Sequence, residues 1–146
     1  MEPIKEFTLS KKMGNQSLYM GGVALAMGLV LLVLAGNGTL IGFGILFMII
    51  GATNRNLKIV KLYPQYLEIK LGIIAPKKLM KYDQITSFSV VKKTLELHYN
   101  TQENKSKKVK ILVKALEKDD LLELDKVLQE KTDLEATNTF ILTDVE

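Results

Sequence analysis

Between residues 13 and 54 the chain carries no Asp, Glu, Lys or Arg, whereas from Arg55 onward a charged residue recurs at almost every third position. That contrast implies two solvents, lipid for the apolar stretch and water for the rest. Residues 17–35 read SLYMGGVALAMGLVLLVLA. At about 1.5 Å rise per residue, a helix of that length approaches the ~30 Å hydrocarbon thickness of a bilayer. After Gly36-Asn37-Gly38-Thr39, a strong turn signal, residues 40–53 read LIGFGILFMIIGAT and reach a spanning length once the turn residues are counted. No linker between the two segments is long enough for a domain. The expected arrangement is a two-pass transmembrane helical hairpin over residues 17–54, preceded by an N-terminal segment over residues 1–16.

Lys5, Lys11 and Lys12 precede the first segment, Arg55, Lys58 and Lys61 follow the second, and the turn has neither residue type. The positive-inside rule therefore places both termini in the cytoplasm. A cleaved signal peptide ending near Val33-Leu34-Ala35 is the competing reading, opposed by the long apolar core and by the second apolar segment that follows at once. A lipoprotein signal is excluded because the chain has no cysteine, which also removes disulfides, thiolate catalysis and Cys-based metal sites.

Small residues recur every seventh position, at Gly21, Gly28 and Ala35 and again at Asn37, Gly44 and Gly51. Seven residues are about two helical turns, so Gly21, Gly28, Gly44 and Gly51 make a stripe along which two helix backbones approach closely. The seam within the hairpin is the leading reading; the ordinary abundance of glycine in membrane helices and contact with another subunit are the alternatives. Tyr19 suits an interfacial aromatic belt. Neither span holds an ionisable group, so proton relays and ion pathways lack their usual signature.

Beyond residue 54 the charge is uneven: residues 55–115 hold 14 Lys/Arg against 4 Asp/Glu, and residues 116–146 hold 3 against 10. The hydrophobic pattern there alternates, which marks strands with one buried face. Strands are expected over residues 57–62, 66–71, 85–91, 94–99 and 108–113, with Leu67, Ile69 and Leu71 facing inward and Tyr66, Glu68 and Lys70 outward. Pro64 presets the first turn, Ile73-Ile74 and Leu79-Met80 bracket a further hairpin, and residues 100–107 form a loop. A single helix follows, with Leu121, Leu124 and Leu128 on its apolar side, Asp119 and Asp120 early, and Lys126 and Lys131 late, in agreement with the helix dipole. The fold class is thus a membrane helical hairpin plus an α+β domain of six or seven antiparallel strands closed by one C-terminal helix, over residues 55–131. The tail, residues 132–146, contains a further strand candidate at residues 139–143.

The segments LYPQYLEI at residues 62–69, LGII at 71–74 with Lys77-Lys78, and YDQITSFSV at 82–90 resemble the small bacterial membrane proteins that carry a pleckstrin-homology-like domain. In that family a pair of membrane helices often precedes the domain. The resemblance implies a PH-like antiparallel sheet or partly open barrel, the bacterial cytoplasmic (inner) membrane as location, and a headgroup-facing surface for which Lys58, Lys61, Lys70, Lys77, Lys78 and Lys81 are the candidates. The family's Lys/Arg phosphoinositide pattern between the first two strands is not reproduced, and Arg55 is the only arginine. The bidentate fork best suited to phosphate is therefore nearly absent, leaving diffuse attraction to anionic lipid or a merely solvated basic face.

Catalysis is not expected. His98 is the only histidine and falls opposite the apolar face of its strand, and no phosphate loop, nucleophile elbow or HExxH helix is present. No catalytic, cofactor or metal residues are assigned. Lys107, Lys108, Lys110 and Lys114 lack interleaved aromatics, which argues against nucleic acid. The expected function is a membrane-anchored, non-enzymatic binding or scaffold module that engages membrane lipid and a protein partner, or its own copies. An accessory subunit of a larger membrane enzyme or transport complex is the rival reading, and a sensor of anionic lipid surfaces a weaker one.

Overall fold

The computed structural model describes residues 2–101 and 105–134. It is an α+β protein whose elements run β1 (Lys5–Thr8), α1 (Lys11–Ala35), α2 (Thr39–Asn54), β2 (Lys58–Leu62), β3 (Tyr66–Ile69), β4 (Lys78–Lys81), β5 (Ile85–Val91), β6 (Thr94–Asn100), β7 (Ser106–Leu112) and α3 (Lys118–Thr132). Two compact units result, a helical one over Thr8–Leu57 and a β unit built from Met1–Phe7 together with Lys58–Glu146. The strand candidate at residues 139–143 lies outside the described residues.

In the helical unit, α1 starts earlier than the apolar pattern alone indicates. Ser10 accepts a hydrogen bond from the Met13 N–H at 3.4 Å, so the cap sits ahead of Lys11 and Lys12 and draws both into the first turn. Gly36 ends the helix in the left-handed conformation, φ 66°, with its N–H on the Leu32 carbonyl at 3.0 Å. Only glycine adopts that conformation without a Cβ penalty. Thr39 belongs to α2 rather than to the turn, because the Asn37 side chain accepts from both the backbone N–H and the hydroxyl of Thr39, at 3.0 and 2.7 Å. With 25 residues α1 is about 37 Å long, and with 16 residues α2 is about 24 Å long. Among the described residues only α1 has by itself the length and composition to cross a membrane.

The β unit holds two antiparallel sheets, of order β1-β2-β3-β4 and β5-β6-β7. Its first strand precedes the helical pair and pairs with β2, which follows it. Residues 1–16 are therefore more than a leading segment: four of them form a sheet edge, and Phe7 is fully buried. The register pairs Leu62 with Leu67, Leu67 with Met80, Leu97 with Val109, and Leu95 with Ile111. These side chains join Phe88 and the α3 residues Leu121, Leu124 and Leu128 in the buried core.

Four departures from the expected pattern stand out. β3 buries Leu67, Glu68 and Ile69 in succession, so both of its faces are covered, and Glu68 is only 8% exposed. β3 ends at Ile69, so Leu71 lies beyond it and is 43% exposed. Ile73 and Ile74 belong to the β3–β4 connection rather than to a strand. β7 begins at Ser106, within the stretch expected to be loop.

Candidate functional site

Two features are candidates for function, the seam of the helical pair and the lysine-bearing face of the β unit. At the seam, Gly21, Gly28, Gly44 and Gly51 are buried. A Cβ built on Gly28 would stand 2.7 Å from the Ile41 nitrogen, and one on Gly51 would stand 2.6 Å from the Leu18 nitrogen. On Gly21 it would lie 2.8 Å from the Met48 nitrogen, and on Gly44 2.8 Å from the Leu25 nitrogen. Each glycine thus faces backbone of the other helix, which is how helices pack where dispersion and not water drives association. Gly14 extends the contact to Arg55, whose Cα would lie 3.3 Å from an added Cβ. Lys11, Lys12 and Arg55 therefore gather at one end of the pair, and the other end, residues 36–38, carries no charge.

Away from the seam the side chains are large and apolar. Val33 is 84% exposed, and Leu34, Val23, Met27, Phe43 and Ile49 are each more than half exposed. Small residues inside and large apolar residues outside are the reverse of a water-soluble helical pair.

The six candidate lysines divide into two groups. Lys58 and Lys61 flank Glu6 of β1; Lys58 bonds one carboxylate oxygen, and Lys61 lies 3.2 Å from the other. The Lys58 ammonium holds the Glu6 carboxyl below the usual carboxylate range, with Lys61 adding to it and desolvation opposing it. In return the hydrogen bond to Glu6 raises the Lys61 ammonium. Lys77 reaches the buried Glu68 at 3.3 Å. Lys70, Lys78 and Lys81 make no ion pair among the described residues. Between Lys70 and Tyr82 there is no acidic residue.

The other charged constellation lies on the solvent face of β6. Lys110 approaches Glu96 at 2.7 Å, with His98 at 3.7 Å and Lys108 at 3.8 Å. The Lys110 hydrogen bond is the main cause of a lowered Glu96 carboxyl. Two cations and one carboxylate on an open sheet face amount to a cross-strand charge network. A cavity of about 250 Å³ beside β4, lined by Tyr66, Leu79, Met80, Lys81 and Gln84, is smaller than a typical ligand pocket. Tyr82 ties the neighbouring turn, its hydroxyl donating to the Tyr63 carbonyl at 3.0 Å. Burial pushes its phenol up to about 12.

Sequence reasoning missed Glu6 and Glu68, the two acids that pair with three of the six lysines. For Glu6 the only signal was the short KEFT alternation, and for Glu68 there was none, since its strand reads as singly buried. Compared with family models, curated proteins and solved structures, the chain matches none.

Proposed function

We propose that the chain is a non-enzymatic binding module of the bacterial inner membrane, in which a two-pass hairpin anchors a PH-like domain at the cytoplasmic face. The observation that carries this reading is the inside-out helical pair: glycines turned to the seam and large apolar side chains turned outward. Lipid is the solvent that suits such a surface. α2 is about 6 Å short of a bilayer core, a mismatch that local thinning and its polar flanks accommodate. Support for a common side of both termini comes from connectivity, since α1 leaves from β1 and α2 returns to β2, neighbours in one sheet. The cluster of Lys11, Lys12 and Arg55 at that end agrees with a cytoplasmic orientation. The strands and closing helix after α2 support the PH-like resemblance, whereas β1 ahead of the helical pair departs from the order it implies.

The rival reading, a subunit of a larger complex, draws on the glycine stripe, but the pair already uses Gly21, Gly28, Gly44 and Gly51 on itself. Gentle detergent extraction followed by mass measurement of the intact assembly separates the two. The binding-module reading expects the chain alone or with its own copies. Fixed stoichiometry with a larger membrane subunit contradicts it.

A further inference from the structure

The β3–β4 connection is the most unusual surface of the β unit. Ile74 is 98% exposed, and Leu71, Ile73 and the β4 residue Leu79 are each at least 40% exposed. Lys70 stands at one end of this apolar run and Lys77 and Lys78 at the other, with no acid between residues 70 and 82, while Lys81 lies at the far end of β4 opposite Tyr66. Pro76 and Gly72 interrupt the backbone, so the isoleucines are presented on bends rather than folded into a strand. Isolated exposed apolar residues need no explanation, but an apolar tip with cations at both of its ends is a specific combination.

We infer that this loop is a second point of membrane contact, in which Ile73 and Ile74 enter the interface of an anionic bilayer while Lys70 and Lys78 meet its surface charge. The inference rests on the proposal that the helical pair is membrane-embedded, which keeps a bilayer permanently within reach of the domain. Charge selects the occupant. Lysine stems lie along apolar surface while their heads seek anionic lipid. The lack of arginine in the loop gives attraction without a preferred headgroup. Lys58 and Lys61 drop out of the lipid-facing set because both heads are turned to Glu6, which offsets one of their two charges, whereas Lys77 pairs with Glu68.

The absence of native cysteine makes the test direct. The full chain, carrying a polarity-sensitive fluorophore on Ile74→Cys, is reconstituted into vesicles of phosphatidylcholine with and without phosphatidylglycerol, each containing lipid spin-labelled on its acyl chains. Parallel samples carry the label on Val33→Cys in α1 and on Glu130→Cys in α3. The expected result is strong quenching at 33 in both compositions, quenching at 74 that requires phosphatidylglycerol, and none at 130. Lys70→Gln and Lys78→Gln each lower the insertion equilibrium about fivefold. Quenching at 33 without quenching at 74 on the anionic vesicles overturns the loop contact and leaves the anchor standing. No quenching at 33 overturns the anchor and the inference with it.

Discussion

Glu6 and Lys61 face each other at 3.2 Å across neighbouring strands, although the whole helical pair separates them in the chain. The β unit therefore closes only when the segments on either side of the pair meet, and α1 and α2 are an insertion within that unit. An insertion between paired strands fixes where both ends of the inserted segment emerge, and the proposed topology is built on this.

The short first strand is consequently expected to matter out of proportion to its length. Phe7 is fully buried, so Phe7→Ala should cost about 3–5 kcal/mol, measured by denaturant unfolding of the β unit in detergent. Glu6→Gln should act through pH instead. The Glu6 carboxyl is held low by Lys58, so its contribution is complete above the ordinary carboxylate range and is lost as pH falls through the lowered value. The Gln variant should show a flatter acid limb in its stability–pH curve, and an unchanged limb would contradict the pairing.

Gly28→Ala places a methyl group against the Ile41 backbone. Overpacking of this kind costs about 1–3 kcal/mol and should loosen the helical pair in a micelle unfolding assay. Gly22→Ala is the matched control, because nothing lies within 4 Å of its added Cβ. Equal effects at the two positions would refute the seam.

Asp125 carries a buried oxygen with no hydrogen-bond partner, while Gln129 donates to the other oxygen at 3.0 Å. Burial raises this carboxyl, with the Gln129 bond opposing. A raised carboxyl favours the fold when protonated, so its benefit is full below the ordinary aspartate value and is lost as pH rises through the raised one. Asp125→Asn should therefore gain stability at neutral pH, by less than about 1 kcal/mol for a partly exposed group, and should lose that pH dependence in thermal melts.

Lys92 turns between β5 and β6 with φ 59°, a conformation disfavoured for residues with a Cβ. Lys92→Gly should stabilise the hairpin by up to about 1 kcal/mol, read as a higher melting temperature. A fall would show that the lysine side chain compensates for the strain.

Local patterning made legible those parts of the fold that depend on near neighbours. Leu95, Leu97 and Tyr99 alternate with the less buried Thr94, Glu96 and His98 because one face of β6 is covered more fully than the other. The stripe Leu121, Leu124 and Leu128 is buried because its helical spacing is complete within one segment. Alternation failed at β3, where both faces are covered and Glu68 is buried beside its hydrophobic neighbours. It was also silent on β1, whose single buried side chain leaves no period to detect and whose partner lies beyond the apolar pair. The lysine face was legible only as composition. Which ammoniums are paired depends on Glu6 and Glu68, and their positions follow from strand pairing rather than spacing.

The central claim is that α1 and α2 both cross the membrane and return the chain to its starting side. Single-cysteine variants of the full chain in intact cells, Glu2→Cys, Asn37→Cys and Glu130→Cys, test it with a membrane-impermeant maleimide. The account predicts labelling at position 37 from outside, and labelling at 2 and 130 only after permeabilisation. Labelling of 37 and 130 from the same side would leave at most one crossing and contradict it.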